Sequence, residues 1–495
     1  MNVIQTLSDE LSRLLQGNLL YETYSPQWRY LLESYVGGQE YKDAQHLTRY
    51  QLETDAEYRA RIRTTPLENH CQSVISVYNS FLFREDPDRE FGSIEYMPEL
   101  EDFLADADFD GRSLNSFMKD VSTWMSVFGH AWIIVSKPNV GATTVADEQS
   151  MGVRPYVSLL TPMVVLDWQY QRQPSGRVRL SYLRYLEETT GDIKTVKTWT
   201  PDVITTTVMD TKRDVIVETV EEVNGLGMIP AVCAYNGRSI IRGFGISDIA
   251  DIADVQKFIY NATSEVEQSI RMDSHPSLVA TPETKIGSGA GALIHMPDNL
   301  DPGLKPYLLE FGGASIDSIY KSIEHAIGSI DKMANTGAVR ATESRTMSGV
   351  AMETEFQLLN ARLSEKADNL ELAEEQMWNI WCAYMGTVWE GEVDYPGSFN
   401  IRDTEKEISQ LKIARDTATN PKILNLIDGK LAEWLGEEED IIFAEDMAAA
   451  NLNLPAETVF EPHIMIDPET GKEYIARTEQ EHLDYMAMGY THDDE

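Results

Sequence analysis

Residues 246–274 read ISDIADIADVQKFIYNATSEVEQSIRMDS. Within it Ile246, Ile249, Ile252, Val255, Phe258, Ile259, Ala262, Val266 and Ile270 recur every three or four positions, the period of one face of an α-helix. No Gly or Pro interrupts the stretch after Gly245, so at 1.5 Å per residue it predicts a rod roughly 40 Å long. The other face carries Asp248, Asp251, Asp254, Glu265, Glu267 and Asp273 against only Lys257 and Arg271. A rod of this kind needs packed neighbours on one side and water on the other.

His275-Pro276 ends it, because a residue before proline is pushed out of the helical region. The insert that follows, up to Ser315, is rich in Pro and Gly, and its apolar pieces Leu278-Val279-Ala280 and Ala292-Leu293-Ile294 suit short strands. Helix period returns with Ile316, Ile319, Ile323, Ile327 and Ile330. The unit reads as an arm that runs out, carries a small strand-bearing tip, and runs back. After Asn335-Thr336-Gly337 a loop from Ala338 to Met347 carries Arg340, Glu343 and Arg345. A third helix, with Ser348 as its cap, has its apolar seam at Met352, Phe356, Leu359, Leu363, Leu370, Met377, Trp381 and Met385.

At 495 residues the chain exceeds what one core organises, so several domains or one domain with large extensions are expected. The apolar share of 42% is ordinary, whereas 41 basic against 81 acidic side chains, net −40, is not. Such a charge opposes spontaneous adhesion to nucleic acid or anionic lipid, which rests on clustered Lys and Arg, and it also favours solubility. The three cysteines, Cys71, Cys233 and Cys382, lie far apart in apolar surroundings and form no disulfide framework. Met1 to Leu11 has no basic stretch followed by an apolar core, and no apolar run reaches membrane length. A soluble intracellular product is expected.

Upstream of the arm, helical patterns occupy the first 36 residues, a block from Thr54 and another around Val74–Phe83. A helix over Ser113–Phe128 runs into a strand over His130–Ser136. From Pro155 to Val223 short β-rich pieces alternate with turn residues: Tyr156–Leu160, Met163–Trp168, Val178–Leu186, Ile193–Trp199, Val203–Val208 and Asp214–Glu221. The first 245 residues thus read as an α+β domain. Downstream of Met385, helices are expected over Glu405–Thr417 and Lys422–Leu435, a hairpin around Asp467–Lys472, and a frayed end from Thr491. From Thr387 to Glu495 the chain holds 8 basic and 26 acidic residues, so nearly half of the charge excess sits in the last fifth.

Chemistry is hard to find. The chain lacks a phosphate loop, a His-Glu-x-x-His pair, a Cys-x-x-Cys and a Gly-x-Ser-x-Gly. Asp106, Asp108, Asp110 and Gly111 begin like a calcium loop, but Phe117 stands where a closing carboxylate belongs, and a capped turn is the better reading. Gly243 and Gly245 suit a hinge before the long helix rather than a nucleotide site. His70 beside Cys71 reads as a buried structural pair, since neighbours on a helix face different ways. No enzyme activity, cofactor or metal is expected.

The order of these parts resembles the portal protein of tailed bacteriophages. The residues that carry the likeness are Tyr58-Arg59-Ala-Arg61, Asp108–Phe117 with Gly129, Pro155-Tyr-Val, Pro162-Met-Val-Val-Leu-Asp-Trp168, Leu226-Gly227-Met-Ile-Pro230, Gly245-Ile-Ser-Asp-Ile249 and the Gln256–Ser264 helix. The resemblance implies a portal-like α+β fold: a wing over 1–245, stem helices over 246–274 and 316–337, a clip over 275–315, a tunnel loop over 338–347, a long crossing helix over 348–386, and a helical crown over 387–495. It implies a ring, usually of twelve subunits, at one capsid vertex of the virion, made in the host bacterial cytoplasm. The expected partners are the terminase motor, a head-tail adaptor, major capsid and scaffolding proteins, and double-stranded DNA that passes through without sequence readout, with no membrane. Arg340, Glu343 and Arg345 would then face DNA, Asp248, Asp251, Asp254, Glu265 and Glu267 would line an acidic channel, and Lys285 and Lys305 would meet partners at the clip. The other reading of the same features is a cytosolic helical scaffold that binds a protein through its long acidic helices.

Overall fold

Local sequence signals set the helix starts of the first half. In helix α1, Leu19–Val36, the Asn18 side chain accepts the Tyr21 amide at 2.9 Å, and Trp28 and Leu31 are buried. After the short α2, Gly38–Asp43, helix α3, Asp55–Thr64, opens on a capping box in which Thr54 and Glu57 each satisfy the other's backbone N–H. Helix α4, His70–Leu82, buries Cys71, Val74, Ile75, Tyr78 and Leu82 at helical spacing. Strand β1, Asp88–Glu90, and helix α5, Pro98–Ala105, lead to α6, Leu114–Phe128, which Ser113 caps. The structure, a computed structural model, describes residues 10–138, 148, 151–274, 277–282, 284–286, 294–296, 301, 305–309, 314–340, 349–399, 413–415, 422–424, 427, 463–466, 472–476, 483, 486–488 and 491–492. It divides into two units, Met1–Asn400 and Ile401–Glu495.

Strand β2, His130–Ser136, is buried from His130 to Val135, as expected of the middle strand of a covered sheet. It pairs antiparallel with β3, Tyr156–Leu160, and with β9, Ala231–Tyr235, in the order β3-β2-β9. Between β3 and β9 the chain builds a separate antiparallel meander of β4, Val165–Arg172; β5, Val178–Thr190; β6, Ile193–Trp199; β7, Val203–Asp210; and β8, Val215–Val223. Its strand order follows the chain, as hairpin connections dictate.

The arm follows. Helix α7, Ala250–Ser274, packs along α8, Ala314–Ala334. Two ladders nest between them: β10, Ser277–Val279, pairs with β13, Tyr307–Leu309, and β11, Lys285–Ile286, pairs with β12, Ile294–His295. Helix α9 spans only Gly337–Arg340, and helix α10, Gly349–Met385, buries Leu359, Leu363, Leu370, Met377 and Trp381. Strand β14, Glu392–Asp394, returns to pair with β1. One continuous apolar core joins residues from Trp28 to Phe399 in this unit. Among the described residues no helix is long and apolar enough to cross a membrane. In the second unit β15, His463–Ile466, pairs with β16, Glu473–Ala476, and with β17, Thr491–His492.

Three elements differ from expectation. The helix anticipated from Ile246 begins at Ala250, because Ser247 donates its hydroxyl to Val127 O at 2.7 Å and Asp248 N–H bonds Ser126 O at 3.0 Å. Residues 338–340, anticipated as the start of a loop, belong to α9. Thr491 and His492, anticipated as frayed, pair with Ile466 and Met465. The helices expected over Glu405–Thr417 and Lys422–Leu435 lie largely outside the described residues, as do His275-Pro276 and Ser348.

Candidate functional site

The anticipated acidic face of α7 divides into an exposed part and a buried part. Asp251, Asp254 and Glu265 are exposed and recur at helical spacing with the half-exposed Phe258. Glu265 Oε1 also accepts the Tyr50 hydroxyl at 2.6 Å, and Glu267 pairs with Arg271 at 2.6 Å on its own helix. Between α7 and α8 a groove is lined by Asp254, Val255 and Phe258 on one side and Ser318, Lys321 and His325 on the other.

Asp248 does not belong to that face. It precedes the helix and turns inward, where Lys366 Nζ lies 2.6 Å from Oδ2, Arg362 Nη2 donates to Oδ1 at 2.7 Å, and Asn236 Nδ2 donates to Oδ1 at 2.8 Å. Burial works against its charge, but Lys366 and Arg362 outweigh burial and hold the carboxyl below the usual carboxylate range. The Lys366 ammonium spends its remaining donors on Ser126 Oγ, at 2.8 Å, and on Asn236 Oδ1. This cluster fastens α10 to the end of α6, to the residue after β9 and to the root of α7. Sequence reading missed Arg362 and Lys366; the available signal was their i, i+4 spacing between the seam residues Leu359, Leu363 and Leu370.

Arg340, anticipated on a loop facing DNA, ends α9 with its guanidinium turned into protein. Its Nη1 is 3.1 Å from Asp331 Oδ1 and its Nη2 is 2.9 Å from His70 Nδ1. Glu343 and Arg345 lie outside the described residues. At the tip, Lys285 stands in β11 opposite His295, and Lys305 is exposed.

Two further sequence features resolve. Asp108 accepts the Asp110 amide at 2.9 Å and pairs with Arg112, so its carboxylate serves a capped turn. Among the described residues no cluster of three or more His, Cys, Asp or Glu side chains is placed to hold a metal. Cys71 is buried and its thiol is pushed up to about 12, far from the thiolate that a nucleophile needs.

Residues 37–414 match the family described as "Phage portal protein, SPP1 Gp6-like". Among solved structures, a chain of "Neck of empty GTA particle computed with C6 symmetry" is 12% identical, with 79% of this chain and 99% of that chain covered and a TM-score of 0.41. A chain of "Virion of native gene transfer agent (GTA) particle" is 11% identical, with 81% and 98% covered and a TM-score of 0.39. No curated protein matches.

Proposed function

The chain belongs to the SPP1 Gp6-like phage portal protein family, and on that premise we propose that copies of it close into a ring at one capsid vertex through which the genome is packaged, retained and ejected. Portal proteins are non-enzymatic structural components of the virion. The observation that carries the reading is the family match over residues 37–414, which takes in the arm, the tip and the long helix.

Physical features of the arm support it. A helix pair with an exposed Asp251–Asp254–Glu265 face and a half-exposed Phe258 has surface left for neighbours, and head-to-tail contacts that close give a ring. An acidic bore would repel phosphate and let double-stranded DNA slide without sequence readout. In this reading residues 1–245 are the wing, α7 and α8 the stem, 275–315 the clip, 338–347 the tunnel loop, α10 the crossing helix and 387–495 the crown. Twelve subunits are the expected number. The clip, with Lys285 and Lys305 as contact candidates, docks first the terminase motor and then the head-tail adaptor, while capsid and scaffolding proteins meet the outside of the ring.

Imaging of the purified protein down its symmetry axis tests the proposal. A ring of about a dozen chains with an opening wide enough for a double helix is expected. A low-order oligomer with no opening under every assembly condition would instead point to a helical scaffold and overturn it.

A further inference from the structure

His70, Arg340 and Asp331 come from three separate elements, the start of α4, the end of α9 and the last turn of α8. Their side chains are only 10%, 13% and 9% exposed. Arg340 Nη2 lies 2.9 Å from His70 Nδ1. A guanidinium carries donors and no acceptor, so Nδ1 must be the acceptor and the ring must be neutral, with its proton on Nε2. That Nε2 completes no hydrogen bond; the nearest carboxylate, Glu68 Oε2, is 3.4 Å away. On the other side of Arg340 the 3.1 Å contact to Asp331 is an ion pair in which neither Nη1 nor Oδ1 reaches hydrogen-bond geometry. Among the described residues His70 therefore makes the well-formed bond to the guanidinium, and that bond exists only while His70 is uncharged.

We infer that His70 is a proton-operated latch on Arg340: the neutral ring holds the arginine inside the protein, and protonation expels it. A proton on Nδ1 would set two donors and two like charges 2.9 Å apart in a site largely out of water. Among the described residues, charged groups from several elements stand around this site, and Glu355 on α10 lies against Gly337, the first residue of α9. Asp331 from α8 and Glu68 from the segment before α4 favour the imidazolium, but Glu68 is 59% exposed and screened by solvent. Cys71 and Tyr78 on α4 are both neutral, and Gln256 of α7, which accepts the Cys71 amide at 2.9 Å, carries no charge. Burial first, and Arg340 second, keep the His70 pKa below the ordinary histidine value. The direction follows: a base whose folded value is depressed keeps its bond above about pH 6.5 and loses it as pH falls through the lower folded value. The same release would free a permanent cation where the chain leaves α9, and its approach to DNA rests on the ring reading above. The latch itself is a property of one folded chain.

The test is limited trypsin digestion of the full-length protein, with cleavage after Arg340 measured by mass spectrometry relative to cleavage after Arg213, whose side chain is 82% exposed. As pH is lowered from about 7.5 through the ordinary histidine value of about 6.5 and on toward about 4.5, the ratio should rise several-fold in the unmodified protein. In His70→Gln, whose amide oxygen accepts from Arg340 at every pH, the ratio should stay flat. A flat ratio in the unmodified protein, or an equal rise in His70→Gln, overturns the latch. Because the ratio can be read on any oligomer that forms, failure of the ring and failure of the latch are told apart.

Discussion

Gly129 and Gly245 meet backbone to backbone: a Cβ on Gly129 would stand 2.5 Å from the carbonyl carbon and oxygen of Gly245. Gly129 closes α6 at φ +90°, its N–H bonding Met125 O at 2.7 Å, and its own carbonyl accepts the Asn236 amide at 2.9 Å. Gly245 N–H in turn reaches His130 Nδ1 at 3.3 Å. The end of α6, the start of β2 and the chain leading into α7 are thus stacked at one point. The root of the arm is fixed there because no side chain intervenes.

A methyl group at this point should be among the costlier single changes. Gly245→Ala has backbone in the way, and Gly129→Ala adds left-handed strain, so each should lower unfolding free energy by about 3 kcal/mol or more. Gly225→Ala, with open space around its Cβ and no positive φ, should change it by less than about 0.5 kcal/mol. Urea titrations of the three variants followed by circular dichroism check the contrast.

Lys366→Met should cost about 3 kcal/mol, since it leaves a buried Asp248 with one cation fewer and removes the donor to Asn236 Oδ1 and to Ser126 Oγ, which keeps only its own bond to Ser122 O. Asp248→Asn combined with Lys366→Met should cost less than the sum of the two, because the double variant removes both members of the fully buried pair and leaves only the partly exposed Arg362 without its carboxylate. A double-mutant cycle by urea denaturation measures the coupling, and strict additivity would mean that the two groups do not act as a pair.

Much of this frame was legible in the sequence, because single-face patterns survive in single-face elements. Ile193–Trp199 and Tyr156–Leu160 were bounded by turn residues, and a strand-bearing tip followed from Pro and Gly between two helical periods, whereas the nesting of its two ladders did not. The start of α7 was misplaced because the isoleucine period continues through Ile246 and Ile249, while the contacts that stop the helix, Ser247 and Asp248 to the end of α6, lie 120 residues away in the chain. The same long range hid Lys366 and Arg362. Spacing marks an acid as helical, but it cannot say that Asp248 turns toward cations on another helix.

Arg89 and Glu374 tie β1 to α10. The guanidinium reaches both carboxylate oxygens, at 2.5 and 3.1 Å, and Tyr395 donates its hydroxyl to Oε2 at 2.7 Å in a fully buried site. Arg89→Met should cost about 3–5 kcal/mol by leaving a buried carboxylate without its cation. Tyr395→Phe, which removes one hydrogen bond to a charged group, should cost about 1.5–3 kcal/mol. Thermal unfolding of both should reproduce that order.

His130 sets an acid limit. Burial pushes its pKa down to about 3, and the neutral ring accepts from Gly245 N–H. The folded value lies below the unfolded value of about 6.5, so the contribution is complete above pH 6.5 and declines as pH falls toward 3. Asp248, also depressed, acts in the same direction but only lower on the scale, below the ordinary carboxylate range. His130→Gln should therefore be less stable at pH 7 yet show a shallower loss between about pH 6.5 and 4.5. Urea midpoints across that window measure the two slopes.

The exposed acids of α7 permit a test of the channel that leaves the fold alone. Asp251, Asp254 and Glu265 have no cation among the ion pairs of the described residues, so the combined change Asp251→Asn, Asp254→Asn and Glu265→Gln should alter unfolding free energy by no more than about 0.5 kcal/mol. The amide oxygen introduced by Glu265→Gln still accepts the Tyr50 hydroxyl. If these residues face the bore, each subunit loses three negative charges there, and a ring would lose repulsion around the whole circumference. Purified variant rings should then retain linear double-stranded DNA at low ionic strength where the unmodified rings do not, and added salt should abolish the difference. Rings that form normally and hold no more DNA than before would place this face against a neighbouring subunit, because charge removed beside a double helix cannot fail to change the field that the phosphates meet.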